Sequence, residues 1–584
     1  MCSIIGYCGS KDAAPILVRS LEKMEYRGYD SVGIATKNGN TINVKKGIGK
    51  VSEVSKNLNL HEMPGKIGIG HTRWATHGKV TKENAHPHYS NSGKIAIVHN
   101  GIIENFQQLK TELESDGFKF QSETDTEILA NLIQKNFEQS SNIKETIIKT
   151  ISKIKGHYTF VVIFEDGTLA AARFHEPLII GVEKYGYYIS SDVLGFIEKT
   201  DDAIYIDNEN FVIANNLNLD IYDFNGSSVK PNITKVSKEF ADVYKGDYAH
   251  FTLKEISEQP KTILQAGNEA RIEEIGMHII KAKNIYITGS GTSYNAARIS
   301  KFLFSKFAKI NIEPIISSEL PFSPDSIKKE STLIAISQSG ESADVLEAVN
   351  IVKECNSNVL SIVNHLNSSL SRESDLVVSL NCGPEIGVAA TKSFTSQLAI
   401  LYKITNKICN ECLTLDWNKV SECISYILQD DSKIKKLANN LKEVTDIYVL
   451  GRGIHFPIAK EAALKLKELA YIHAEGIPGG ELKHGPLALM DSNVYVIIIN
   501  PDDSTYQDTI NSANEISTRG AKIIGISNKN NPVYDYWIDI PDIDEIFYPL
   551  IEIIPIQLLA YYTAIEKNTD PDFPRNLAKS VTVK

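Results

Sequence analysis

The sequence predicts a multidomain α/β protein, and three observations carry that reading. The chain has 584 residues, too many for one hydrophobic core, and about 150 residues per domain gives roughly three or four units. Its first 225 or so residues interleave short β-rich runs with helix-like segments, the texture of sheets layered with helices. The second half changes to strand–loop–helix units and repeats itself. Ile285-Tyr-Ile-Thr-Gly289-Ser-Gly291 aligns with Ile447-Tyr-Val-Leu-Gly451-Arg-Gly453 at an offset of 162 (447 minus 285), and Val359-Leu-Ser-Ile-Val-Asn364 with Ile523-Ile-Gly-Ile-Ser-Asn528 at 164 (528 minus 364). Two matches at nearly one offset indicate a duplicated, doubly wound parallel-sheet unit, whose ligands belong at the carboxyl ends of the strands.

Taken in order, the chain opens with Met1-Cys2-Ser3. Removal of the initiator Met leaves a cysteine with thiol and free α-amine on one residue. The two have ordinary pKa values of about 8.5 and about 8, so the amine can take the thiol proton and Cys2 carries its own base. Taken alone, a small residue at a terminus is the more ordinary reading. Lys11 and Asp12 interrupt the segment before any signal-peptide core forms. Strands are expected at Ser3–Tyr7, Gly33–Thr36, Ile95–His99, Thr159–Phe164 and Tyr187–Ser190, and helices at Pro15–Met24, Asn105–Ser115 and Thr126–Phe137. Residues 226–262 have the composition of a linker. The expected division is therefore 2–225, the linker 226–262, first and second repeated domains at 263–425 and 426–570, and a tail, 571–584.

In the first repeat, the strand Thr332–Ser337 runs into Gln338-Ser339-Gly340-Glu341-Ser342 and then a helix, Ala343–Lys353. Such a turn aims backbone N–H groups and hydroxyls at one point before a helix N-terminus, which favours a phosphate. Gly289-Ser290-Gly291-Thr292-Ser293 offers a second such turn. No GxxxxGK[ST] run is present, so a sugar phosphate fits better than a nucleoside triphosphate. In the second repeat, Lys465 and Glu468 sit three apart on one helical face. Spacing alone favours a solvated ion pair there, with proton transfer between sugar carbons as the sharper alternative and the His484 imidazole opening the ring. Cys409-Asn410-Glu411-Cys412 reads as structural rather than metal-binding or redox-active. The apolar run Ile546–Ile565 contains Glu552, which a membrane span would tolerate poorly, so a buried helix is expected.

Composition sets the outer limits. Apolar residues at 42% and charged residues at 23% describe a soluble globular chain, and a net charge of −11 argues against a nucleic-acid footprint. Seven cysteines without framework spacing fit a reducing compartment. A cytoplasmic protein without membrane or nucleic-acid partners is expected.

These residues, with several longer runs, resemble the glutamine–fructose-6-phosphate aminotransferase (isomerising) family, also called glucosamine-6-phosphate synthases, over essentially the full length. The carrying runs in the first half are Cys2, Tyr26–Ser31, Gly70–Gly78, His99–Asn105 and Thr124–Glu127. In the second they are Ser337–Glu341, Leu464–Glu468, Glu481–Pro486 and Arg575–Val583. The resemblance implies an N-terminal-nucleophile glutaminase of αββα layering, followed by two sugar-isomerase (SIS) domains, converting fructose 6-phosphate to glucosamine 6-phosphate with glutamine as nitrogen donor. It implies Cys2 as nucleophile, Asn100 and Gly101 as the oxyanion hole, Arg73 on the glutamine α-carboxylate and Asp125 on its α-amine. Thr76 and His77 complete that pocket, and Trp74 gates ammonia passage. In the isomerase half it implies that Thr292, Ser293, Ser337, Gln338, Ser339, Ser342 and Val388 hold the sugar phosphate. Lys579 forms a Schiff base, Glu468 moves the proton between C1 and C2, His484 assists ring opening from a neighbouring subunit of a homodimer, and Lys465 orients nearby. No pyridoxal cofactor and no metal are implied. Without the resemblance, Arg73 and Asp125 read as surface charges and Asn100-Gly101 as a hairpin turn. Two departures stand out: Ser342 where the family commonly has Thr, and Ala390 where Ser is expected. The rival readings are a glutamine amidotransferase acting on another ketose phosphate, and a sugar-phosphate-sensing regulator, which would need none of Cys2, Glu468, His484 and Lys579.

Overall fold

The computed structural model describes residues 2–75, 78–236 and 245–582. Of these, 2–236 together with 578–582 form one compact unit and 245–577 the other.

The first unit is built on two antiparallel sheets. One has eight strands in the order Ile233–Lys235, Asp202–Tyr205, Ile179–Glu183, Gly186–Ser190, Ser3–Gly9, Ile67–Arg73, Ser31–Asn38 and Thr41–Ile48. The other has six, ordered Leu219–Asp223, Asn210–Ala214, Leu169–Phe174, Gly156–Phe164, Ile95–Ile103 and His88–Tyr89. Period-two alternation explains how they stack. Ile4 and Cys8 of the N-terminal strand meet Val98, Val161 and Ala171 of the facing sheet, while Ile5 and Tyr7 point the other way, onto Leu17, Val18 and Leu21 of helix Ala13–Met24. On the far face of the second sheet, Ile97, Phe160 and Val162 pack on Ile128, Leu132 and Ile133 of helix Asp125–Ser140. The layers are helix, sheet, sheet, helix. Every strand and helix expected in this half is present, most of them extended by a few residues.

The second unit holds two five-stranded parallel sheets of one topology. The first runs Glu313–Ile316, Ile285–Gly289, Thr332–Ser337, Asn358–Val363, Leu376–Ser379. The second runs His473–Pro478, Asp446–Gly451, Tyr495–Ile499, Lys522–Ser527, Tyr536–Asp539. This is the duplication that the sequence offsets indicate. A single apolar cluster joins both sheets to the helices between them, including Ile553–Glu566, whose Ile554, Ile556 and Leu559 are buried. The stretch Glu545–Glu566 is long and apolar enough to cross a membrane, but 89% of its most apolar window is buried inside the protein, as its buried Glu552 requires. The expected linker 226–262 is not free of regular structure: Ile233–Lys235 is an edge strand of the eight-stranded sheet, and Phe251–Ser257 and the start of Gln259–Gln265 are helical. The first of these helices is capped by the Asp572 carboxylate, which accepts from the Phe251 and Thr252 N–H groups at 2.8 Å each. Cys409 and Cys412 are joined in a disulfide just past the end of helix Lys392–Ile408.

Candidate functional site

In the first unit, Cys2 lies at the head of the strand Ser3–Gly9, which places it beside the exit of Ile67–Arg73 on one edge and opposite Ile95–Ile103 in the facing sheet. The Trp74 backbone N–H donates to Cys2 Sγ at 3.2 Å, and Asn100 Nδ2 donates to the Cys2 carbonyl at 3.1 Å. Burial pushes the Cys2 thiol up from its ordinary value, although the Trp74 N–H and the Arg73 guanidinium favour the thiolate. A thiol held protonated needs a base before it can act as a nucleophile. Behind Asn100, His71 Nε2 donates to Asn100 Oδ1 at 3.1 Å and to the His99 carbonyl at 3.0 Å. Burial lowers the His71 pKa to about 3, so this orienting ring stays neutral through the physiological range. Gly101 has φ +108, and a Cβ there would lie 2.1 Å from the His157 carbonyl oxygen. Only glycine lets the backbone pass at that point.

Three expectations drawn without the resemblance are overturned here. Asn100-Gly101 is not a hairpin turn: both residues lie mid-ladder, opposite Thr159 and Tyr158. Arg73 and Asp125 are not surface charges, being 4% and 6% exposed. Arg73 donates to the Gly78 and Lys79 carbonyls at 3.2 Å each, and Asp125, in the first turn of its helix, accepts from the Ile103 N–H at 2.8 Å. Thr76 and His77 lie outside the described residues.

In the second unit, Ser337 ends its strand and its hydroxyl accepts from the Gly340 N–H at 3.0 Å. Ser339 Oγ accepts from the Glu341 N–H, the Gln338 carbonyl accepts from Asn364, and Ser342 precedes helix Ala343–Glu354. Gly340 has φ +69 with the Ser368 side chain where a Cβ would be. The result is a turn that folds hydroxyls and N–H groups around one point. Thr292 and Ser293 lie in the first turn of helix Gly291–Leu303; Ser293 Oγ accepts from Gln397 at 3.0 Å. Val388 N donates to the Asp572 carbonyl at 3.2 Å.

Lys465 and Glu468 are not a solvated pair, which corrects the reading that spacing favours. Lys465 is fully buried and lies 2.5 Å from Glu468 and 3.3 Å from Glu461. Its ammonium also donates to Thr292 Oγ1 and to the Ala390 carbonyl at 3.2 Å each. Position 390 thus contributes its backbone, a role its side chain does not alter. Burial disfavours the ammonium, but Glu461 and Glu468 outweigh it and raise the Lys465 pKa. Glu461, also fully buried, accepts from Thr292 Oγ1 at 2.9 Å and Asn295 Nδ2 at 2.8 Å, linking the two SIS copies. Sequence reasoning missed Glu461, and its position four residues before Lys465 was the available signal. His484 is exposed on a short turn, Gly479–His484. Lys579 lies in the C-terminal segment that groups with the first unit, where the neighbouring Thr582 hydroxyl donates to the buried Glu176 at 2.7 Å.

A cysteine thiol beside an amide donor, in a chain that also carries two matched parallel-sheet domains, points to a class. The chain is a glutamine amidotransferase joined to paired SIS domains: the glutamine amidotransferase domain model matches residues 71–197 and the SIS domain model matches 278–406 and 440–567. It belongs to the glutamine–fructose-6-phosphate aminotransferase (isomerising) family, and is by that membership a transferase. Relatives of that name from Pyrococcus horikoshii and Thermococcus kodakarensis are 42% and 40% identical, with 100% of this chain and of each relative covered. Among solved structures, the C-terminal domain of glucosamine-fructose-6-phosphate aminotransferase from Francisella tularensis matches with TM-score 0.52 and 36% identity, covering 56% of this chain and 100% of that one. Tagatose-6-phosphate ketose/aldose isomerase from Escherichia coli shares the fold at TM-score 0.51 and 19% identity, covering 56% and 95%.

Proposed function

We propose that this chain converts fructose 6-phosphate to glucosamine 6-phosphate with glutamine as the nitrogen donor, at two chemically separate centres. The observation that carries this reading is the coexistence of Cys2, set against Asn100, with a Glu461–Lys465–Glu468 array beside Thr292 in which Glu461 and Lys465 are fully buried and Glu468 is half-buried. At the first centre the Cys2 amine takes the thiol proton and the sulfur attacks the glutamine side-chain amide. Asn100 Nδ2, held by the Cys2 carbonyl before substrate arrives, and the Gly101 N–H receive the developing oxyanion; one such donor is typically worth ~10²–10³ in rate. Collapse releases ammonia, and water hydrolyses the thioester to glutamate. Arg73 serves the substrate α-carboxylate with its planar fork and Asp125 the α-amine, Thr76 and His77 complete the pocket, and Trp74 gates ammonia passage.

At the second centre the Ser337–Ser342 turn with Thr292, Ser293 and Val388 receives the sugar phosphate and its hydroxyls. Lys579 forms an imine with the open-chain ketose. Glu468 moves the proton between C1 and C2, and Lys465, buried and charged, holds that carboxylate in place. The exposure of His484 in the single chain supports its acting in ring opening across a homodimer. The organisation proposed is a glutaminase domain, two SIS domains and a catalytic tail in a cytoplasmic enzyme.

Cys2→Ala tests the separation: glutamine-dependent synthesis is lost while isomerisation of the sugar phosphate persists. Loss of both in a folded variant would overturn two-centre chemistry. Mass spectrometry of products from a panel of ketose phosphates tests the substrate. Borohydride trapping with fructose 6-phosphate and peptide mapping tests Lys579, and an adduct on Lys465 or Lys483 instead would refute that assignment.

A further inference from the structure

Helix His455–Ala470 presents Glu461, Lys465 and Glu468 to the isomerase centre, and it begins with a residue that this chemistry leaves unused. His455 is fully buried. Its Nδ1 lies 3.0 and 2.9 Å from the two Glu552 carboxylate oxygens, and its Nε2 lies 2.9 Å from Asp503 Oδ2. Glu552, also fully buried, is the N-cap residue of helix Ile553–Glu566. Asp503 precedes helix Tyr506–Ser517, and its other oxygen accepts from the Thr505 N–H and hydroxyl at 2.8 Å each. Three helix N-termini therefore converge on two carboxylates and one imidazole.

A neutral imidazole has one N–H and can donate on one side alone, leaving a lone pair 2.9 Å from a carboxylate oxygen on the other. Both contacts are satisfied when both nitrogens are protonated. Burial disfavours that charge, but Glu552 and Asp503 outweigh it and push His455 up to about 10. The remaining negative charge faces the positive ends of the three helix dipoles.

We propose that His455 is a positioning residue for the isomerase centre. As an imidazolium it locks the first turn of this helix to the loop after strand Tyr495–Ile499 and to the cap of helix Ile553–Glu566. It thereby sets where Glu468 stands, ~20 Å further along the same helix at 1.5 Å per residue. This rests on Glu468 being the proton-transfer residue. Remove the cation and two carboxylates are left facing each other in the interior, so the first turn must move to let one reach a proton or water. A stiff helix carries that displacement to its far end, where a misplacement of about 1 Å can cost ~10²-fold.

The test compares His455→Gln, the triple variant His455→Gln/Asp503→Asn/Glu552→Gln and Glu468→Gln in the full-length protein, with thermal melts and kcat and KM for fructose 6-phosphate. The single variant should lose about 10-fold or more in synthesis kcat per folded molecule, while KM and sugar-independent glutamine hydrolysis stay within about twofold. The triple variant should recover most of the loss, because neutral amides can bridge the same three positions. Unchanged kcat per folded molecule in the single variant, an equal loss in glutamine hydrolysis, or a well-folded triple that recovers nothing would each overturn the lock. Full activity in Glu468→Gln would instead remove the reading on which it rests.

Discussion

The two SIS copies use the same strand order and the same turn for opposite ends. After the middle strand of the first copy, Ser337–Ser342 supplies hydroxyls, N–H groups and a φ-positive glycine. After the middle strand of the second, Asn500-Pro501-Asp502-Asp503-Ser504-Thr505 supplies carboxylates, one of which is already spent on a buried imidazolium. After the first strand in chain order, Ser290 stands between two glycines in one copy and Arg452 in the other. Arg452 folds under the turn that carries His484, so closely that a Cβ on Gly479 would lie 3.0 Å from its Cγ. The fold leaves the strand ends open as a potential site, and the local charge decides what enters. A phosphate approaching Asp502 and Asp503 meets like charge, whereas the first copy offers it donors, the carboxylate of Glu341 in that turn being drawn onto the Ser369 N–H at 2.8 Å. The second copy contributes a helix, held at its first turn through His455, whose Glu461 accepts from Thr292 and Asn295 of the first.

That contrast can be broken most directly at Glu468. If the second copy supplies the proton-transfer group to a sugar seated in the first, Glu468→Gln should cut isomerisation by ~10²–10⁴ with glutamine hydrolysis retained. Retention of isomerisation, followed by NMR of the sugar, would show that the first copy works alone. Next in size, Lys465→Met leaves Glu461 buried without its cation and should destabilise the fold by about 3–5 kcal/mol. Denaturant unfolding measures this, and adding Glu461→Gln should restore most of it. A smaller effect separates the two turns: Ser339→Asp should raise KM for the sugar phosphate about tenfold, a 1.4 kcal/mol repulsion, whereas Ser504→Asp should leave it unchanged. Equal shifts would mean that the second turn also meets the phosphate.

The smallest effect is on pH. His455 is raised from an unfolded value of about 6.5 to about 10 in the folded chain. Its contribution is therefore complete below about pH 6.5 and is lost as pH rises through about 10. The groups facing it are Glu552 and Asp503, with Tyr402 near Glu552. Burial and Glu552 hold the Tyr402 hydroxyl well above its ordinary value, so it stays neutral over this window. The melting temperature should fall more steeply between about pH 8 and about 10 in the parent than in the neutral triple variant; parallel curves would contradict the imidazolium.

Much of this protein is written locally. Runs such as Thr332–Ser337 and Ile523–Ser527 are apolar on both faces, which places them inside parallel sheets before any contact is known. Ser3–Tyr7 reads as a strand from its own residues, and the hydroxyl-rich turn Ser337–Ser342 is visible as six consecutive residues. Cys2 is different: a thiol and α-amine on one residue make a nucleophile conceivable, but alone it reads as an ordinary terminal residue, and only the longer runs elsewhere in the chain turn it into a candidate.

What only the tertiary structure decided depends on residues far apart in the chain. Asn100-Gly101 has the composition of a turn, but the register with Thr159 and Tyr158 holds it inside a ladder, and long-range pairing outweighs a two-residue preference. Lys465 and Glu468 have the spacing of a surface pair; Glu461, Thr292 and the Ala390 carbonyl supply the hydrogen bonds that make burying the ammonium tolerable. Arg73 is buried where the Gly78 and Lys79 carbonyls fold back onto it, and Asp125 where the start of its helix meets the Ile103 N–H. His455 meets partners 48 and 97 residues away, a separation that no local window spans. Hydrophobic period is a property of neighbours in sequence, so it could be read directly, whereas the burial and charge state of an ionisable side chain are set by whatever the fold brings against it.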